Sequence, residues 1–177
     1  MKKELLTHFY FWVSFFVLIT LFKHYFSFGY WPFYIGGLIG IIMPDLDHLI
    51  YIYFIKPQDL TSQRVNYLLN KSEVMRSIEL IYETRSERRE LIFHSILFQG
   101  IFFVLAFLML SSSGSLLGRG LVLSFMLHLS VDQLIDLKET GGLSNWFKNI
   151  NFRLDFNQSK IYWMVTGSLV FLMGFLF

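Results

Sequence analysis

There is no cysteine among the 177 residues, which excludes a disulfide framework or a thiolate metal site and leaves nitrogen and oxygen ligands from His, Asp and Glu. Charge is also scarce: 16% of residues are Asp, Glu, Lys or Arg, against roughly 25% in soluble domains. No internal repeat or low-complexity tract is visible. Met1-Lys2-Lys3 precedes a long aromatic run without the small-residue cleavage site of a secretory signal, which predicts a retained membrane anchor. What the chain has is apolar surface, with 54% hydrophobic residues, 21 Phe and nine Tyr. Its mean hydropathy is +0.50. Lipid accepts such a surface and water does not.

Five apolar stretches are near the ~20 residues a helix needs to cross a bilayer, at about 9–28, 30–55, 91–110, 117–137 and 161–177. The reading is an all-α, polytopic membrane bundle forming one transmembrane domain over 1–177, with about five transmembrane helices plus amphipathic interfacial helices. Within the second stretch, Pro44-Asp45-Leu46-Asp47-His48 interrupts the apolar run, and a proline there kinks or breaks the helix. With the amino terminus inside, the inner segments 1–8, 56–90 and 138–160 hold 13 of the 15 Lys and Arg; only Lys23 and Arg119 fall outside. That asymmetry predicts a multi-pass protein of the inner (plasma) membrane with a cytoplasmic N-terminus.

The polar segment 56–90 carries Val65, Leu68, Leu69, Met75 and Ile78 at roughly helical spacing, which predicts an amphipathic surface helix. In 138–160, Gly141-Gly142 reads as a turn, and Trp146, Phe147 and Phe152 read as interfacial anchors. Nothing in the charge distribution points to nucleic acid; membrane lipids are the expected surroundings, and no protein partner is specified.

Four of the five stretches carry or border histidines or aspartates that fall near the same predicted membrane side, namely His8, Asp45, Asp47, His48, His94, His128 and Asp132, while His24 lies far from them near the outer end of the first. Intramembrane groups of this kind mark function by default. His128 and Asp132 are four residues apart on one helical face, and Asp45 and His48 three apart. Asp47 needs the Pro44 distortion to join them, or else orients a ligand from behind. Glu90 stands four residues before His94. A central Asp costs about 2.5–3.5 kcal/mol on insertion scales, so three unpaired ones cost on the order of 10. A structural zinc site returns about 10–16 kcal/mol, so a shared cation accounts for the gathering economically. A buried His–Asp pair that only braces the bundle is the plain alternative.

These motifs resemble the membrane-bound metal-dependent hydrolases, also known as LexA-binding, inner-membrane-associated hydrolases. That family has an early histidine, a Pro-Asp-x-Asp-His run, a Thr-His-Ser motif and a His-x-x-x-Asp motif followed by Thr and Gly. The matching positions are His8, Pro44–His48, Phe93-His94-Ser95, and His128–Asp132 followed by Thr140-Gly141. The third motif departs from the pattern, because Arg88-Arg89-Glu90-Leu91-Ile92-Phe93-His94 lacks the family's second histidine and has Phe93 for threonine. Either Glu90 substitutes as a ligand or one metal position is lost.

The resemblance and the residues together predict a hydrolase acting on a phosphoester or lipid-linked substrate at the cytoplasmic leaflet. The expected cofactor is one or two divalent ions, zinc first, with manganese or magnesium as alternatives. His8, Asp45, His48, His94, His128 and Asp132 are the expected metal ligands, and Asp47 or Glu90 the general base or orienting group. Arg88 and Arg89 are expected to hold substrate charge, with plain positive-inside residues as the alternative. A non-catalytic membrane protein braced by its metal and binding a partner through 56–90 is the main competing expectation. A cation transporter is a further one, weakened by the lack of ionisable groups in 9–22, 101–115 and 165–177.

Overall fold

A computed structural model describes residues 2–84, 88, 90–150 and 152–177. The described residues form helices and turns, with no strand among them. In chain order, α1 is Lys2–Lys23 and α2 is Trp31–Ile42; after a tight turn at Met43–Asp45 come α3, Leu46–Ile50, and a widened turn, Tyr51–Ile55. Then follow α4 (Leu60–Asn70), α5 (Val74–Glu83), α6 (Ile96–Ser112), α7 (Leu116–Thr140) and α8 (Phe156–Leu176).

Four stretches are long and apolar enough to cross a membrane: Lys3–Lys23, Phe28–Ile55, Leu116–Thr140 and Phe156–Leu176. The expected third span is shorter than predicted, 17 residues from Ile96, at the lower limit for a crossing helix. It starts late for a local reason. Asp47 accepts the backbone N–H groups of Ile92, Phe93 and His94, which holds them out of a helix. Ser95 then caps α6 by accepting from Phe98. The first span also shifts from 9–28, because His24 adopts a left-handed φ of 56° and ends α1 at Lys23.

Helix α7 is the centre of the bundle. In its most apolar window 78% of residues are buried, against 22–33% in the other three span-length stretches. Ser115 caps its start, and Gly141, at φ 73°, ends it in the left-handed region where glycine carries no steric cost. Its principal partner is α2, and the contact is backbone to backbone. A Cβ on Gly36 or Gly40 would meet the carbonyl oxygens of Leu117 or Leu121 at 2.0 and 2.2 Å, and one on Gly120 would meet Phe33 O at 1.9 Å. The Gly36-x-x-x-Gly40 spacing that permits this approach is a known small-residue packing device between membrane helices.

Gly40→Ala is expected to loosen this contact, because the new Cβ would meet the Leu121 backbone. Overpacking against rigid backbone costs about 1–3 kcal/mol or more, so the thermal unfolding midpoint in detergent falls. Unchanged unfolding would refute this account of the α2–α7 contact.

Helices α4 and α5 pack on each other, with Tyr51, Ile52 and Val65 buried between them and the end of the second span. The single amphipathic helix expected in 56–90 is thus two helices, and Met75 is 67% exposed rather than part of the inner face. In 138–160, Trp146 and Phe147 are buried and not interfacial; Phe152 is exposed. Trp146 donates its indole N–H to Asp136 Oδ2 at 2.7 Å and accepts from Ile96 N at 3.0 Å. This fixes the segment against the start of α6. A capping box at Asp155 and Gln158 then starts α8.

Candidate metal centre

Asp132 is the hub. On α7, His128 Nε2 lies 3.0 Å from Asp132 Oδ2, one helical turn away. The other ring nitrogen, Nδ1, is 2.6 Å from the carbonyl oxygen of Ile41. A carbonyl can only accept, so Nδ1 carries the proton and Nε2 of the neutral ring presents a lone pair. His8 on α1 repeats the arrangement: Nδ1–H donates to Glu4 O at 3.0 Å, and Nε2 lies 3.2 Å from Asp132 Oδ1. Both Nε2 atoms are buried without a hydrogen-bond partner.

His94 arrives from the loop before α6. Its Nδ1 lies 3.1 Å from Asp47 Oδ2, and its Nε2 lies 2.8 Å from Asp132 Oδ2. With Nδ1–H donating to Asp47, this ring too turns a lone pair toward Asp132 when neutral. Asp47 is fully buried and also receives the N–H groups of Ile92, Phe93 and His94 at 3.0, 2.6 and 3.2 Å. It is therefore an orienting carboxylate behind His94, the arrangement that fixes ring tautomers around metal ions. The turn at Pro44 gives Asp47 this position.

Three imidazole nitrogens and a carboxylate thus converge with acceptors facing acceptors. Protons or a metal cation can reconcile them. The chemistry of the set fits a cation: His8, His128 and Asp132 are all buried and could hold a metal ion, with one ligand atom each within 4.8 Å of the others. His8 Nε2 lies 3.2 Å from one Asp132 oxygen and His128 Nε2 lies 3.0 Å from the other, so the carboxylate stands between the two rings.

The remaining predicted residues fall outside this set. Asp45 lies at the edge, with Oδ1 3.7 Å from His128 Nε2 and its side chain 33% exposed. His48 lies beside the site, its ring stacked 5.5 Å from that of His94. Its Nδ1 accepts from Arg88 Nε at 3.2 Å, so the neutral ring carries its proton on Nε2 and offers a donor there rather than a metal-binding lone pair. Arg88, expected to bind substrate, is instead buried and also donates to Thr84 Oγ1 and the Ile81 carbonyl. It positions His48. Arg89 lies outside the described residues.

Glu90 is corrected most clearly. It is on the surface, bridging Lys148 at 3.1 Å and Lys56 at 3.3 Å, and contacts none of the histidines. The chain between it and His94 forms a bend and a turn held on Asp47, so the helical four-residue spacing never forms. Hydrogen bonds from Lys148 and Lys56 hold its carboxyl below the ordinary value of 4.5. A lowered pKa contributes stability above the unfolded value and loses it as pH falls through the folded one. Glu90→Gln is therefore expected to cost about 0.2–1 kcal/mol at neutral pH. The difference from wild type should shrink as pH falls below the ordinary carboxylate range and vanish once the folded carboxyl is protonated, while any bound metal stays unchanged. A lost metal ion in E90Q would return Glu90 to the site.

A cavity of about 230 Å³ adjoins the cluster, with His8, Asp45, His48, His128 and Asp132 on its wall. A scan against protein families and searches of curated proteins and of solved structures give no match for this chain. The sequence reading missed the Ile41 carbonyl and the glycine contact that delivers it; the Gly36/Gly40 spacing was the available signal.

Proposed function

We propose that this protein is a membrane-embedded, metal-dependent hydrolase, with His8, His94, His128 and Asp132 as the ligand set. The observation that carries this is the convergence of buried imidazole lone pairs on Asp132, with tautomers fixed from behind by the Glu4 and Ile41 carbonyls and by Asp47. Nitrogen-rich donors favour zinc over magnesium or manganese. When bound, such a cation supplies Lewis acidity, polarising an ester or phosphoryl oxygen and acidifying water at neutral pH.

The chain's own groups do the rest. Asp47 and the two carbonyls hold the rings in register. Asp45, partly exposed on the cavity wall, accepts a proton from the attacking water. His48, held by Arg88 with its N–H on Nε2, is suited to donate to the oxygen that leaves as the ester bond breaks. The missing second histidine of the resembling family, with Glu90 on the surface, favours one metal ion over two. The thirteen-to-two distribution of basic residues supports a cytoplasmic-side site in an inner membrane.

A purely bracing metal is the second reading, since the cluster ties α1, the α3 region, the α6 loop and α7 together. Structural sites are closed whereas catalytic ones keep an open position, and the adjoining cavity supports catalysis. The deciding experiment is elemental analysis of purified wild type and Asp132→Ala, paired with headgroup release from a phospholipid panel. Metal-free wild type overturns the hydrolase; metal without turnover leaves the brace.

A further inference from the structure

Besides its His and Asp side chains and Tyr82 of α5, the cavity beside the cluster is lined by Leu5, Phe9 and Trp12 of α1 and Leu38, Ile41 and Ile42 of α2. These positions recur at three- and four-residue spacing, so each helix offers one stripe. His8 lies within the α1 stripe, and Asp45 continues that of α2. The rims are open to the outside: Leu5 is 44% exposed, Phe9 53%, Leu38 42% and Ile42 62%. Both helices belong to stretches of membrane-crossing length, so in a bilayer this mouth faces acyl chains and not water.

Size narrows the occupant. About 230 Å³ is less than the roughly 300–1,000 Å³ of a pocket that engulfs a drug-sized ligand. It admits a headgroup, not a whole lipid. A divalent cation held at one end of it would coordinate a phosphoester oxygen directly.

We infer that the substrate is a phospholipid that enters sideways from the bilayer between α1 and α2. Its phosphoester sits at His8, His128 and Asp132, and its acyl chain lies along the Phe9 and Ile42 rims. The inference rests on the hydrolase reading for the chemistry but has its own readout. The protein is reconstituted in phosphatidylcholine vesicles containing phosphatidic acid with a diazirine in its acyl chain. After irradiation the labelled peptides are mapped, and metal content is measured on the same preparation.

Label is expected to concentrate within 5–12 and 38–42, and Ile42→Trp, which fills the mouth from an exposed position, should reduce it about tenfold. Leu105→Trp, on the exposed face of α6, should leave it unchanged. Labelling spread evenly over α6 and α8, or indifferent to I42W, overturns the lateral route even if metal is present. Groove-specific labelling of a metal-free wild type supports the route and overturns the hydrolase instead.

Discussion

Asp132→Ala is expected to abolish the site while leaving the helices in place. Asp132 is the one residue within 3.2 Å of three imidazole nitrogens, on His8, His94 and His128. Removing one partner of a buried charged set costs about 3–5 kcal/mol, which is two to three and a half decades in an equilibrium constant. On the proposed function, metal content should fall to background in the variant, and any hydrolysis should fall with it. Asp132→Asn sharpens the reading, because it keeps the shape and removes the charge. If N132 protein retained its metal, the carboxylate would not be the anchor, and protons shared among the imidazoles would better explain the cluster. Far-ultraviolet circular dichroism is the control that separates site loss from unfolding.

The second large effect is expected at Asp47, which touches no part of the cavity. Its carboxylate takes three backbone N–H groups from residues 92–94 as well as Nδ1 of His94. Asp47→Ala leaves these donors without their acceptor, and each one that stays buried and unsatisfied costs about 1–3 kcal/mol. Global stability should drop by several kcal/mol, read as a lowered unfolding midpoint. Metal affinity should drop about 10–100-fold, the usual toll of losing the group behind a metal-binding histidine. Asp47→Asn should recover much of the stability, because its amide oxygen still accepts from the loop, but little of the affinity, because His94 loses its anionic partner. If D47N and D47A lose affinity equally yet differ in stability, positioning and folding are separable. If neither affects metal binding, His94 is not a ligand.

How far the sequence could be read differs from residue to residue. His128 and Asp132 were legible because four residues on a helix always share a face. His8 was legible only by its type and its place at a span end. Asp47 could be placed either with the ligands or behind one, since its direction hangs on a turn at Pro44 whose bend the sequence does not state. Glu90 and Arg88 went the other way. Both were expected at the site from their nearness to His94 in sequence, but the non-helical turn bound to Asp47 leaves Glu90 out at Lys56 and Lys148, and Arg88 inward at His48. Trp146 looked like an interfacial anchor because aromatic residues near a span end often are; a partner 10 residues away, Asp136, makes it core.

By itself the sequence determined the length and apolarity of the helices and the oxygen and nitrogen character of the site. These are properties of composition and of neighbours along the chain. Only the tertiary structure decided which carboxylate is shared and which ring nitrogens face it. It also decided that α1 and α2 line the cavity beside the cluster. Those outcomes depend on how far each helix is rotated and how closely α2 approaches α7, and that approach is set by three glycines whose missing side chains let two backbones touch.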